Sequence, residues 1–327
     1  MSLDADVIVD RRRMRRKLTF WRVLAALLVI VTVAAITFRV TTPDTILGEG
    51  AGAYVARIAV RGVIRNDQDR SEALDRLAKS SARAVIVHVD SPGGTAAGSE
   101  QLYQSLRAVA AKKPMVVVVD GLAASGGYIA ALSADHVVAR SAALVGSIGV
   151  LFQFPNFTDL LNTIGVKVES VKSSPLKASP NGFEPTSPEA RAAIDSLIKD
   201  TYAWFRGLVK DRRQLDDANL ERVADGRVFT GRQGVELKLV DELGGEEEAI
   251  AWLAKEKNID PKWPVRDWRL KPRFGDLDFI HLATARVLDA VGLTALARRI
   301  EESATLQTIE KLNLDGLLAL WHPSASN

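Results

Sequence analysis

The chain contains no cysteine, which removes disulfides, thiol nucleophiles and cysteine metal sites at the outset. Histidine is nearly as scarce, with four in all: His88, His136, His281 and His322. His88 sits inside a continuous apolar strand pattern and His136 opens another, so both read as structural. None of the four has a convincing acidic partner along the chain, which leaves a serine–histidine–aspartate triad with little support. The Gly-x-Ser-x-Gly elbow is also missing, because Ser125 has Ala123 where that motif needs glycine. Internal repeats and low-complexity blocks are absent. So is a basic body: the formal charge is +3, and residues 1–22 alone carry seven Lys/Arg against three Asp, which leaves −1 for the remainder. Nucleic-acid binding by the body of the protein is discarded on that ground.

What the sequence does hold begins with "VLAALLVIVTVAAITF", Val23–Phe38, sixteen residues without a charge. Extended back across Arg22 to Leu18, the segment reaches about 20 residues, enough for a bilayer of ~30 Å. No small-x-small cleavage site follows it, so it reads as an uncleaved anchor over 21–39. The positive-inside rule then leaves the basic tail, 1–20, cytoplasmic and the body on the extracytoplasmic side. Residues 40–52 read as a linker, 53–260 as an α/β domain, and 261–327 as a helical extension without a chemical signal. Within the domain, strands are expected at Ala53–Val60, Ala84–Val89, Met115–Val119, His136–Ala139, Val166–Val171 and Leu239–Val240. Helices are expected at Ser71–Ser80, Ala97–Ala110, Gly126–Ser133, Phe157–Ile164 and 187–213, with a short one capped by Thr230 and another after residue 246. This alternation implies α/β architecture with crossover helices.

Two glycine-rich turns each follow an apolar strand. One is "DSPGG", Asp90–Gly94; the other is "DGLAASGG", Asp120–Gly127. Glycines after a strand let backbone N–H groups face a cleft, and a following helix adds its positive end. Two such N–H groups converging on one point would make an oxyanion hole. Ser125, inside the second turn, is the candidate nucleophile. With histidine disfavoured, lysine is the alternative base. Its pKa of ~10.4 must fall about three units to act near neutrality, which requires a water-poor site. Lys167, Lys172 and Lys177 follow the serine turn, and spacing does not choose among them.

"DSPGG", "VDGLAASGGYIAA", "GSIGV", "SSPLKAS" and "DGRVFTGRQGVELKLVDELGG" occur in this order across residues 50–260. Together they resemble the signal peptide peptidase A family in its short, single-copy form. The resemblance implies a Clp protease/crotonase-like fold of repeated β-β-α units and a membrane-anchored serine–lysine peptidase. It implies Ser125 as nucleophile, Lys177 as general base, and Ser147 as the hydroxyl that orients the lysine. The backbone N–H groups of Gly94 and Gly126 become the oxyanion donors, while Asp120 is read as structural. It implies no cofactor and no metal. The implied partners are signal peptides and other hydrophobic peptides, the membrane, and further copies of the chain in a bowl-shaped homo-oligomer whose neighbours complete the clefts. Two other readings compete: a crotonase-type acyl-CoA hydratase or isomerase, and an inactive membrane scaffold. Crotonase-type enzymes usually have glycine where this chain has Ser125, and a scaffold has no need of Ser125, Lys177 and Ser147 together.

Overall fold

The computed structural model describes residues 52–270 and, as backbone, Leu318–Leu320. The expected tail and anchor, nearly all of the linker, and most of the expected extension lie outside the described residues. Two units are distinguished, Met1–Gly52 and Ala53–Asn327, and the second carries everything below.

Its centre is three strands rich in valine and isoleucine: β1 (Val55–Arg61), β2 (Ala84–Ser91) and β4 (Met115–Ala124). They run parallel, in register from Val55 opposite Ala84 and from Val85 opposite Met115. Apolar side chains on both faces are what a parallel sheet covered on both sides demands. On one face Ile58, Val87 and Val117 pack with Leu102, Leu106 and Tyr128. On the other, Ile86, Val116 and Val118 pack with Ala249 and Leu253.

The crossovers are α1 (Gln68–Lys79) and α2 (Ala96–Ala110), each opened by a side-chain cap. Asp67 accepts from the Arg70 N–H at 2.9 Å, and Thr95 from the Gly98 N–H at 3.1 Å. Between β2 and α2 lies β3 (Gly93–Thr95). Along β4, β5 (His136–Ala139) pairs with the first half and β6 (Leu144–Gly146) with the end, both parallel. After β4 comes α3 (Gly126–Ala131); α4 (Thr158–Thr163), α5 (Pro188–Arg213) and α6 (Asp217–Val223) follow β6. Then β7 (Val228–Thr230), antiparallel to β6, leads into α7 (Gly231–Glu236). The domain closes with β8 (Glu242–Leu243), α8 (Glu246–Lys257) and β9 (Val265–Asp267). The main path of the sheet is β7-β6-β4-β2-β1-β9, with β8 joined through β5. Beside it, β3 pairs with β10 (Leu318–Leu320).

Three expectations need correction. Val166–Val171 is irregular and exposed and pairs with no strand among the described residues; alternating valines alone do not make a strand. Leu239 and Val240 form a turn instead, both N–H groups donating to the Gly234 carbonyl at 2.7 and 3.1 Å. After residue 260 the structure continues the sheet where a helical extension is expected: Val265 lies opposite Val55, and the Trp268 N–H donates to the Arg57 carbonyl at 2.7 Å. Among the described residues no helix is long and apolar enough to cross a membrane.

Candidate active site

The carboxyl ends of β2, β4 and β6 meet at one place, as ligand crevices do in open α/β sheets. Ser91 lies opposite Ala123, and Ala124 opposite Gly146. Ser125 follows directly. Its N–H donates to the Gly146 carbonyl at 2.8 Å, and its own carbonyl accepts from the Tyr128 and Ile129 N–H groups at 2.9 and 3.0 Å. Although it starts α3, its side chain does not cap the helix. The backbone is held at φ 54°, ψ −118°, a conformation L-residues avoid, costing about 1–3 kcal/mol where it occurs. The residue is 1% exposed.

The two glycines after Ser125 have a steric reason. A Cβ on Gly127 would stand 2.5 Å from the Ser91 carbonyl oxygen, so α3 enters against the end of β2 only without a side chain there. As the first helical residue, Gly126 has an N–H with no partner inside the helix. Gly94 is held as tightly on the neighbouring strand. The Ile64 N–H donates to the Gly93 carbonyl at 2.8 Å, the Thr95 N–H donates to the Ile64 carbonyl at 2.9 Å, and a Cβ on Gly94 would lie 1.7 Å from that carbonyl oxygen.

Ser147 comes from the strand beside the nucleophile candidate. Its N–H donates to the Arg227 carbonyl at 2.8 Å, its φ is 51°, and it is 8% exposed. Two serines with positive φ thus leave adjacent parallel strands, both buried.

The lysines behave differently. Lys172 is paired with Glu184, and the Lys172 hydrogen bond holds that carboxyl below its ordinary value. Lys167 and Lys177 are exposed. Lys177 sits in a turn, its N–H donating to the Ser174 carbonyl at 3.1 Å, between exposed Leu176 and Ala178 at φ 55°. Among the described residues no hydrogen bond joins the Lys177 ammonium to Ser125 or Ser147. One chain therefore places both serines and both glycines on neighbouring strand ends, and leaves the lysine exposed.

Sequence reasoning missed the partners of His88. Its Nδ1 lies 3.0 Å from both Asp120 carboxylate oxygens, and its Nε2 lies 2.8 Å from Glu246 Oε2. Arg57 donates through Nε to Glu246 at 2.7 Å and through a terminal nitrogen to Asp267 at 2.9 Å. The Arg57 hydrogen bond, helped by His88 and opposed by burial, holds the Glu246 carboxyl below its usual range. With both ring nitrogens engaged, His88 is no base for Ser125; it ties β2 and β4 to α8. Polar residues on the covered face of a buried strand were the available signal. His136 stacks on Trp252 with ring centroids 4.7 Å apart and has Glu242 3.3 Å from its Nε2.

A strained serine at the end of a parallel strand, followed by helix-initial amides that have no partner inside the helix, is an arrangement suited to acyl transfer. Comparison with known proteins agrees. The chain belongs to peptidase family S49, whose pattern matches residues 107–260. It is 36% identical over 209 residues to a candidate protease of Synechocystis sp., an alignment covering 63% of this chain and 76% of that one. It is 34% identical over 227 residues to protease 4 of Salmonella typhi, covering 69% of this chain and 36% of that one. A candidate signal peptide peptidase SppA of Enterococcus faecium is 29% identical over 235 residues, covering 67% and 68%.

Proposed function

We propose that this protease is a serine endopeptidase in which Ser125 and Lys177 form the dyad, acting on signal-peptide remnants and other hydrophobic peptides. The observation that carries the reading is the backbone of Ser125: buried, strained, and placed where its hydroxyl does not cap the helix it starts. In the proposed reaction neutral Lys177 takes the Ser125 proton as Oγ attacks the peptide carbonyl. The Gly94 and Gly126 N–H groups hold the oxyanion, each donor contributing about 3–4 kcal/mol by analogy with other hydrolases. Lys177 then passes its proton to the leaving amine, and water hydrolyses the ester on Ser125. Ser147 orients the ammonium. The proposed framework is a Clp protease/crotonase-like fold.

The exposure of Lys177 bears on assembly. A lysine acts as a base near neutrality only when desolvated, yet it lies in a segment whose apolar side chains, including Phe157, Leu160, Ile164 and Leu176, face solvent. An exposed apolar patch of this kind marks an interface. A homo-oligomer in which a neighbouring copy covers this segment would bury the lysine and complete the cleft. The charge-free run Val23–Phe38 and its basic flank support a single-pass anchor in the cell membrane, with the catalytic domain on the extracytoplasmic side.

The test is hydrolysis of apolar fluorogenic peptides. Ser125→Ala and Lys177→Ala are each expected to lower kcat/KM by at least about a thousandfold, with circular dichroism and assembly unchanged. Full turnover in Lys177→Ala would remove the dyad.

A further inference from the structure

The turn that follows β2 is tied down through a side chain as well as through its backbone. Ser91 is fully buried, where the register of β2 against β4 shifts between Val89 and Ser91. Its hydroxyl donates to the Gly62 carbonyl at 2.7 Å and accepts from the Gly93 N–H at 3.1 Å. Pro92 has no N–H to offer, so the hydroxyl reaches the next donor along the chain. Backbone bonds of the same crossing run beside it: the Gly62 N–H donates to the Asp90 carbonyl at 3.0 Å, and the Ile64 N–H to the Gly93 carbonyl at 2.8 Å. Gly93, at φ 101°, and Gly94 lack side chains, so little else fixes the plane of the peptide between them. Across a trans peptide the carbonyl and the N–H point opposite ways. With both polar groups of Gly93 held, its carbonyl faces Ile64 and the Gly94 N–H is turned the other way. Ser91 also meets α3: a Cβ on Gly127 would stand 3.2 Å from Ser91 Cβ as well as 2.5 Å from its carbonyl oxygen. One serine therefore touches the turn that carries Gly94 and the helix that begins at Gly126.

We propose that Ser91 is a positioning residue for the oxyanion donors: its hydroxyl fixes the plane of the Gly93–Gly94 peptide, and its backbone sets how closely α3 approaches that peptide. The proposal rests on the peptidase reading above, which makes the Gly94 and Gly126 N–H groups the donors. Turning the Gly93–Gly94 peptide over would present a carbonyl oxygen where an N–H is needed, and a carbonyl repels the charge that an N–H stabilises. A hydroxyl is a small group that donates and accepts at once. Alanine in its place leaves the buried Gly93 N–H and the Gly62 carbonyl without that partner. Negative charge on the substrate oxygen develops only in the transition state. The loss therefore falls on kcat and leaves KM alone.

The experiment compares the full chain in detergent micelles with its Ser91→Ala variant. For an apolar peptide kcat is expected to fall about a hundredfold, as when one oxyanion donor is lost, with KM unchanged. A peptide aldehyde, which forms a tetrahedral adduct on Ser125, should weaken by the same factor. The matching peptide alcohol forms no adduct and should bind as before. Unchanged kcat would overturn the proposal, and so would equal weakening of aldehyde and alcohol, which is the mark of lost packing. A second pair covers the case in which Ser91→Ala does not fold. Ser91→Thr and Ser91→Val share one shape and differ in the hydroxyl, so strain from the added methyl is common to both. The threonine variant is expected to turn over faster; equal kcat would overturn the role of the hydroxyl. A third measurement needs no turnover: exchange of the Gly93 amide should accelerate in Ser91→Ala, and an unchanged rate would show that the hydroxyl does not hold it. A wild-type chain that hydrolyses nothing, with a Gly93 amide still released by Ser91→Ala, would leave the pinned turn standing and refute the peptidase reading instead.

Discussion

Glu246 is the middle link of a charged chain that runs from Asp267 through Arg57 and Glu246 to His88 and Asp120. Its carboxyl titrates below its ordinary value of 4.5. A depressed carboxylate contributes stability that is fully present above the unfolded pKa and is lost as pH falls through the lower, folded pKa. Glu246→Gln is therefore expected to lower Tm at about pH 7, and the gap to the wild type should narrow as pH falls below the unfolded carboxyl's range and through the lower, folded pKa. Thermal melts across that range check it; a gap independent of pH would show that Glu246 acts through packing alone. The site was unevenly legible at this scale. The turns that carry Ser125, Gly94 and Gly126 could be read because glycines after apolar strands are local signals. The partners of His88 could not, because Asp120 and Glu246 stand 32 and 158 residues away, and only the sheet register and the packing of α8 against it bring them to one face.

Element by element, legibility followed length and cover. β2 and β5 begin where the apolar runs begin, and β4 only extends its run past Val119 to Ala124, because burial on both faces writes a continuous signal. β6, β7 and β8 have two or three residues each, too few to show a period. α7 was readable from its cap: the Gln233 N–H donates to Thr230 Oγ1 at 3.3 Å, and the Thr230 N–H to Gln233 Oε1 at 3.0 Å. Removing half of that reciprocal cap by Thr230→Ala is expected to cost about 1 kcal/mol. Denaturant unfolding measures it, and an unchanged midpoint would mean that α7 is held by its packing and not by its start.

At the scale of the whole molecule, apolar surface is spent in two places. Most lines the two cores, but Leu160, Ile164, Val166, Val168 and the fully exposed Val171 lie outside them. If these residues meet a second copy, as proposed, then Leu160→Asp with Val171→Asp should reduce both assembly and peptide hydrolysis while the monomer keeps its Tm. Light scattering and the peptide assay on the same samples decide it. A monomeric double variant with full turnover would separate the lysine from the interface.

The ion network has a further consequence, in time. Ser125 and Ser147 belong to the middle of the chain, whereas Glu246 and Asp267, which complete the charged chain through Arg57, come roughly a hundred residues later. At ribosomal rates of about 5–20 residues per second, the strands bearing the serines emerge on the order of ten seconds before the groups that lock them. During that interval β1 has no β9 on its outer edge and His88 has one carboxylate instead of two. A nascent chain therefore carries the proposed nucleophile before it carries the brace around it, and a ribosome stalled between residues 150 and 245 would display a loosely held serine site.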